Sequence, residues 1–327
     1  MNIAKRSAAG GVIVWLVTLL LTTSDSAPVE LIHKVLFFAM LVIVPLALSV
    51  VQDGSSLYKL IVLVQPVAAL LTVASFFFDK GILSATLASS WLIVNILVAF
   101  YGLARLSAHR FQHVEELSID AGLFYLTVAG TWLVIYRLGV QPFGYGEAII
   151  LLTAVHFHFA GFATPIIAGM TGRVLATREY PRKMFVCVVI AVIAAMPVVA
   201  AGITFSPWLG FVGALLLAVG LVLLAVLTLG WVTGPAKWKP LLLIGALSSC
   251  AAMVLACLYA YSLATHTLIL TIPKMAMTHG LLNAFGFVTC SLIAWSQIAP
   301  AEVSHKKAQK AQRNSSCFLC LFVPFCG

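Results

Sequence analysis

Apolar residues run along this chain in blocks of about twenty, broken by short polar punctuation. A helix rising 1.5 Å per residue needs about 20 mostly apolar residues to cross the hydrocarbon of a bilayer. Ten stretches meet that requirement, at roughly 8–23, 31–51, 58–78, 81–104, 120–136, 147–171, 184–204, 208–233, 240–264 and 275–298. The first and fifth are short enough to suit a re-entrant or interfacial piece. The pattern predicts an all-α fold, a polytopic transmembrane helical bundle of about ten spans over residues 1–300, with a polar, Cys-containing tail at 301–327.

Composition removes the other broad classes. Of the 327 residues 62% are hydrophobic and 9% charged, with a mean hydropathy of +1.09. A soluble domain is about 25% charged, so a water-soluble protein, a disordered chain and a conventional nucleic-acid binder are excluded. The net charge of +9 belongs to the loops. With ten spans and a cytoplasmic N-terminus, the inside segments hold Lys5, Arg6, Lys59, Arg105, Arg110, Arg173, Arg178, Arg182, Lys183, Lys237, Lys239, Lys306, Lys307, Lys310 and Arg313, and the outside segments hold Lys34, Lys80, Arg137 and Lys274. That is fifteen against four of the chain's 19 Lys and Arg residues. The asymmetry is the one the positive-inside rule describes, and it predicts both termini in the cytoplasm.

The seven cysteines form no disulfide framework. Cys187, Cys250, Cys257 and Cys290 lie within spans, where a thiol packs as a small apolar group. Cys317, Cys320 and Cys326 fall in the tail, on the side where thiols stay reduced and where reversible acylation or a membrane-dipping segment suits them better than an incomplete zinc site. Pro45, Pro66, Pro165 and Pro197 interrupt spans and are expected to kink them.

Three polar constellations stand out. In the sixth span, LLTAVHFHFAGFATPIIAG, His156 and His158 lie about 14 and 17 Å below the surface by helix rise. Ionisable groups at that depth are costly and by default suggest function, and imidazole is both the commonest metal ligand and the group that titrates nearest neutrality. Positions i and i+2 point about 200° apart on a regular helix, so the two rings address different neighbours unless the helix is distorted near Gly161 and Pro165. Gly161, Pro165 and Gly169 recur every fourth residue and form a groove for a close helix. In the tenth span, KMAMTHGLLNAFGF sets His279, Asn283 and Gly286 on one face, with Asn283 level with His156. A shared pocket and a plain interhelical hydrogen bond are both compatible with this spacing. Asn95 and Gln65 are weaker candidates for the same cavity. In RLSAHRFQHVEELSID, His109, His113, Glu116 and Asp120 make one stripe if the piece is helical, suited to a divalent metal, to an acid–base pair, or to the wet face of an interfacial helix. Asp120 enters a span and requires a partner.

The run LTAVHFHFAGFATPIIAG, with EELSIDAGLFY before it and MTHGLLNAFGF after it, resembles the YndJ-like family of bacterial membrane proteins, most clearly over about 105–171 and 275–290. The resemblance implies residence in the bacterial cytoplasmic membrane and carries no activity with it. It marks His156, His158, Gly161, Phe162, Pro165, His279, Gly280, Asn283, Glu116 and Asp120 as the positions that match.

Three functions are open at this point. The bundle can hold a site ligated by His156, His158 and His279 for a metal, haem or a small hydrophobic ligand. In that case Asn283 and Asn95 help to bind, and Glu116, Asp120, His156 and His158 carry any acid–base or redox chemistry. It can be a proton-coupled secondary transporter or export factor, or a structural protein whose polar groups only join helices. No G-x-S-x-G, P-loop, G-x-G-x-x-G or H-E-x-x-H string is present, and whether the chain is an enzyme is left open.

Overall fold

The computed structural model describes residues 2–24, 26–232 and 236–298, so the expected tail and its three cysteines lie outside the described residues. Among these residues ten long helices follow one another: α1 (Ile3–Thr18), α2 (Ala27–Val51), α3 (Ser56–Ser75), α4 (Ile82–His109), α5 (Val114–Leu138), α6 (Glu147–Leu175), α7 (Arg182–Phe205), α8 (Pro207–Trp231), α9 (Ala236–Ala264) and α10 (Ile272–Ile298). Among the described residues, the nine from α2 to α10 are long and apolar enough to cross a membrane.

Two of the expected spans change. The first is shifted toward the N-terminus and has only 16 residues. It still runs alongside α2 for most of that helix's length. Asn2 Nδ2 donates to Gln52 Oε1 at 2.8 Å, and the Trp15 indole donates to the Lys34 carbonyl at 2.8 Å. Lys5 Nζ also donates to the Ser296 carbonyl, so α1 begins where α10 ends. This end of the bundle is the near face, and the opposite end the far face. The fifth span is 25 residues rather than a short one, because Glu116 and Asp120 at its start are paired with Arg173 and Arg105 inside the protein.

The most apolar stretch of α2 is wholly buried, and α6 is the next most enclosed helix. The other eight pack side by side around these two, closing through Trp15 of α1 and Phe285 of α10, whose rings are 5.9 Å apart. The predicted groove on α6 receives α5. A Cβ on Gly169 would lie 2.6 Å from the Glu115 carbonyl oxygen, and one on Gly122 would lie 2.7 Å from that of Phe162. Only glycine admits such an approach.

Three helices widen into π-helical turns: Ala39–Ile43 in α2, Phe157–Ala163 in α6, and Ala276–Gly280 with Leu282–Thr289 in α10. In α2 and α6 a proline follows, Pro45 and Pro165, and it leaves the carbonyl four residues back without its usual donor. Side chains then reach carbonyls five residues back: Thr164 to Phe159, Thr289 to Ala284 and Cys290 to Phe285. The π turns of α2, α6 and α10 touch one another at the bundle centre. Pro66 and Pro197 sit inside continuous helices.

Candidate functional site

The near face is closed by charge. The 105–120 stretch is not one helix. Arg110 and Phe111 adopt left-handed backbone angles (φ 47° and 61°) and α5 starts afresh at Val114, so the expected stripe of His109, His113, Glu116 and Asp120 does not form. The turn instead folds α4 against α5 and brings His109 onto Asp120, Nε2 to Oδ2 at 2.6 Å. Arg105 Nε takes the other oxygen of Asp120 at 2.7 Å and its Nη2 donates to Glu116. Arg173 of α6 clasps both oxygens of Glu116, at 2.6 and 2.7 Å. Asp120 has thereby met the partner its position demanded, and His113 stays outside the network.

Arg173 also helps to finish α2. A helix ends with four carbonyls that lack intrahelical donors. Here the carbonyls of Leu48, Ser49, Val50 and Val51 accept from Tyr58 Oη, Asn2 Nδ2, Arg173 Nη1 and Tyr101 Oη, at 3.0, 3.4, 3.3 and 3.3 Å. Side chains of α3, α4 and α6 and the N-cap of α1 therefore hold the last turn of α2, and Arg173 adds a positive charge at the negative end of its dipole.

At mid-depth the two motif histidines part company, as their i, i+2 spacing requires. His158 is fully buried. Its Nδ1–H donates to the Ala154 carbonyl at 2.8 Å and its Nε2 accepts from the Trp91 indole at 3.0 Å. With both nitrogens occupied, His158 offers no lone pair to a ligand. His156 points the other way, toward α10, and its ring lies 6.3 Å from that of His279, inclined by 21°. His156 Nδ1–H donates to the Leu152 carbonyl, and His279 Nδ1–H to the Ala252 carbonyl, each at 2.8 Å. Asn283 Nδ2 sits 3.2 Å from His279 Nε2, the i, i+4 relation expected from sequence. His156 Nε2 has no hydrogen-bond partner among the described residues, and the residue is exposed. The open seam that it forms with His279 between α6 and α10 is the histidine crevice.

This geometry corrects several expectations. His156, His158 and His279 are not one ligand set, because His158 faces Trp91 on another side of α6. Among the described residues no group of three or more His, Cys, Asp or Glu side chains is placed to hold a metal ion. Asn95 is not part of the crevice. It joins α4 to α5 through the Leu126 carbonyl at 3.0 Å, in space left by Gly130. Gln65 likewise bridges Ser7 and the Met40 carbonyl. Glu116 and Asp120 are far from His156, His158 and His279, since Arg173 and His158 are separated by about 20 Å of α6 by helix rise.

Sequence reading missed Arg105, Arg173 and Trp91 as structural partners. Trp91 carried a weak signal, lying one turn before Asn95 on the buried face of α4. A second cluster, on the far face, was also missed. His33 is held between Thr23 Oγ1 and Tyr136 Oη, both at 2.9 Å, Lys34 pairs with Glu30 at 2.5 Å, and Arg137 donates to the carbonyls of Ser75 and Phe78.

The family described as YndJ-like protein matches residues 34–287. In Bacillus subtilis (strain 168), the "Uncharacterized membrane protein YndJ" is 30% identical over 233 residues. The match covers 70% of this chain and 41% of the relative, so the chain spans less than half of that protein's length. No solved structure matches.

Proposed function

This chain belongs to the YndJ-like protein family, a multi-pass membrane protein in contact with lipid, and on that premise we propose that it binds a small, largely hydrophobic ligand in the crevice between α6 and α10. One observation supports this reading above the others: His156 Nε2 has no protein partner among the described residues while its ring lies open at hydrocarbon depth beside His279. A lone pair kept at that depth is costly unless something meets it, so the ligand carries one hydrogen-bond donor and an otherwise apolar body. His156 receives that donor, and Asn283 steadies His279 on the opposite wall. The test is mass spectrometry of the intact protein released from mild detergent. Wild type retains a hydrophobic molecule, His156→Phe and His279→Phe lose it, and retention by both variants contradicts the reading.

Transport is the second reading. It draws on the ion network that ties α4, α5, α6 and the end of α2 together on the near face, since a transporter must break and remake such a closure. We assign the near face to the cytoplasm, because Lys5, Arg105 and Arg173 gather there and the positive-inside rule orients the bundle accordingly.

A further inference from the structure

On the far face, the ends of α9 and α10 and the loop that joins them line an open cavity of about 490 Å³. That volume is within the range of small-molecule sites. Among the described residues no carboxylate, lysine or arginine lines it. Its polar lining consists of Tyr259, Ser262, His266, Thr267 and Thr271, and the rest is aliphatic. Tyr259 Oη, the His266 ring and Thr271 Oγ1 have no hydrogen-bond partner among the described residues. The cavity also has a definite relation to the histidine crevice. The Ala252–His279 hydrogen bond joins the same two helices, and Tyr259 and Ile272 each lie seven residues from it, about 10 Å by helix rise. Cavity and crevice thus lie between or beside the same two helices, about 10 Å apart along them.

We propose that this cavity is the entry seat for the ligand of the histidine crevice, and that the ligand is an uncharged amphiphile with a hydroxyl or ester head. The inference rests on the crevice reading above. An anionic head would enter a cavity without a lining cation, and a cationic head one without a carboxylate. A neutral oxygen-bearing head finds a phenol, two threonine hydroxyls and an imidazole, while its chain lies on the aliphatic wall. From there the head moves inward along α9 and α10 until it meets His156.

A monoacylglycerol carrying a diazirine beside its ester tests this in proteoliposomes of the full chain. Photolabelled peptides are mapped with and without a tenfold excess of unlabelled monoacylglycerol. In wild type, competable label is expected in 259–273 and in 276–286. Thr267→Trp, which plugs the mouth from an exposed loop position, lowers both at least fivefold, and Leu270→Trp does the same from another position if the first variant fails to insert. His156→Phe keeps label in 259–273 and loses it in 276–286. If the plugged variants leave label in 276–286 at the wild-type level, the cavity is not the entrance, although the crevice reading stands. Equal competition by an anionic lysophosphatidylglycerol overturns the uncharged class. Absence of competable label from both segments in wild type overturns the seat and the crevice together.

Discussion

The Trp91 indole donates to Nε2 of His158 across 3.0 Å while the opposite ring nitrogen holds the Ala154 carbonyl. This pair joins α4 to α6 and occupies both ring nitrogens of His158. Polar bonds between membrane helices contribute about 0.6–2 kcal/mol. Trp91→Phe and His158→Phe are each expected to lower stability by about 1–2 kcal/mol, leaving an unpaired buried group behind. The double variant should cost less than their sum, because the second change removes that orphan. Denaturant titration in detergent measures all three, and strict additivity would show that the two residues do not act as a pair.

Glu116 is the centre of the near-face network, held by Arg105 and Arg173. Removing one partner of a half-buried network strands two cations, and the cost, between that of a surface pair and that of a buried one, is about 1–3 kcal/mol. Glu116→Ala is expected to show that loss, and exchange of the charges in Glu116→Arg/Arg173→Glu to recover part of it. Thermal unfolding of the three proteins separates this from a passive surface pair, for which Glu116→Ala would change little.

Gly169 lies under Ile119 and the Glu115 carbonyl. Gly169→Val drives two methyl groups into space already filled by α5. A cost of about 1–3 kcal/mol or more follows from overpacking. The variant should insert poorly or melt early, whereas Gly10→Val, at a position with nothing within 4 Å, should behave as wild type.

Sidedness has its own measurement. Gln52 and Thr267 are exposed on opposite faces. In a cysteine-free background, Thr267→Cys is expected to react with an impermeant maleimide on intact cells, and Gln52→Cys only after permeabilisation. The reverse pattern would invert the assignment of the near face to the cytoplasm.

What the sequence displays is set by which interactions are local. The spans are visible because hydrocarbon selects composition block by block, and the groove on α6 because Gly161, Pro165 and Gly169 share a helical repeat. His279 and Asn283 are legible for the same reason, being one turn apart. The pairing of Arg173 with Glu116, 57 residues apart in sequence, depends on α5 docking into that groove and leaves no local trace. The fifth span was expected to begin at Asp120 because a charge in isolation reads as a boundary; Arg105 arrives to neutralise it only once the 110–113 turn folds back. Nor could His156 and His158 be told apart along the chain. Their different fates depend on which helices lie on either side of α6, and the π turns just beyond Phe157 shift the register that a regular helix would have given.

The central claim concerns one atom, Nε2 of His156, and imidazole ¹⁵N NMR observes it directly. The histidine signals would be assigned with His156→Phe and His158→Phe, then recorded for protein extracted gently from membranes and again after exhaustive delipidation. A shift of the His156 Nε2 resonance on delipidation, with His158 unmoved, is the predicted result. A His156 resonance that is the same before and after would mean that nothing from outside the chain meets this nitrogen, and would contradict the account.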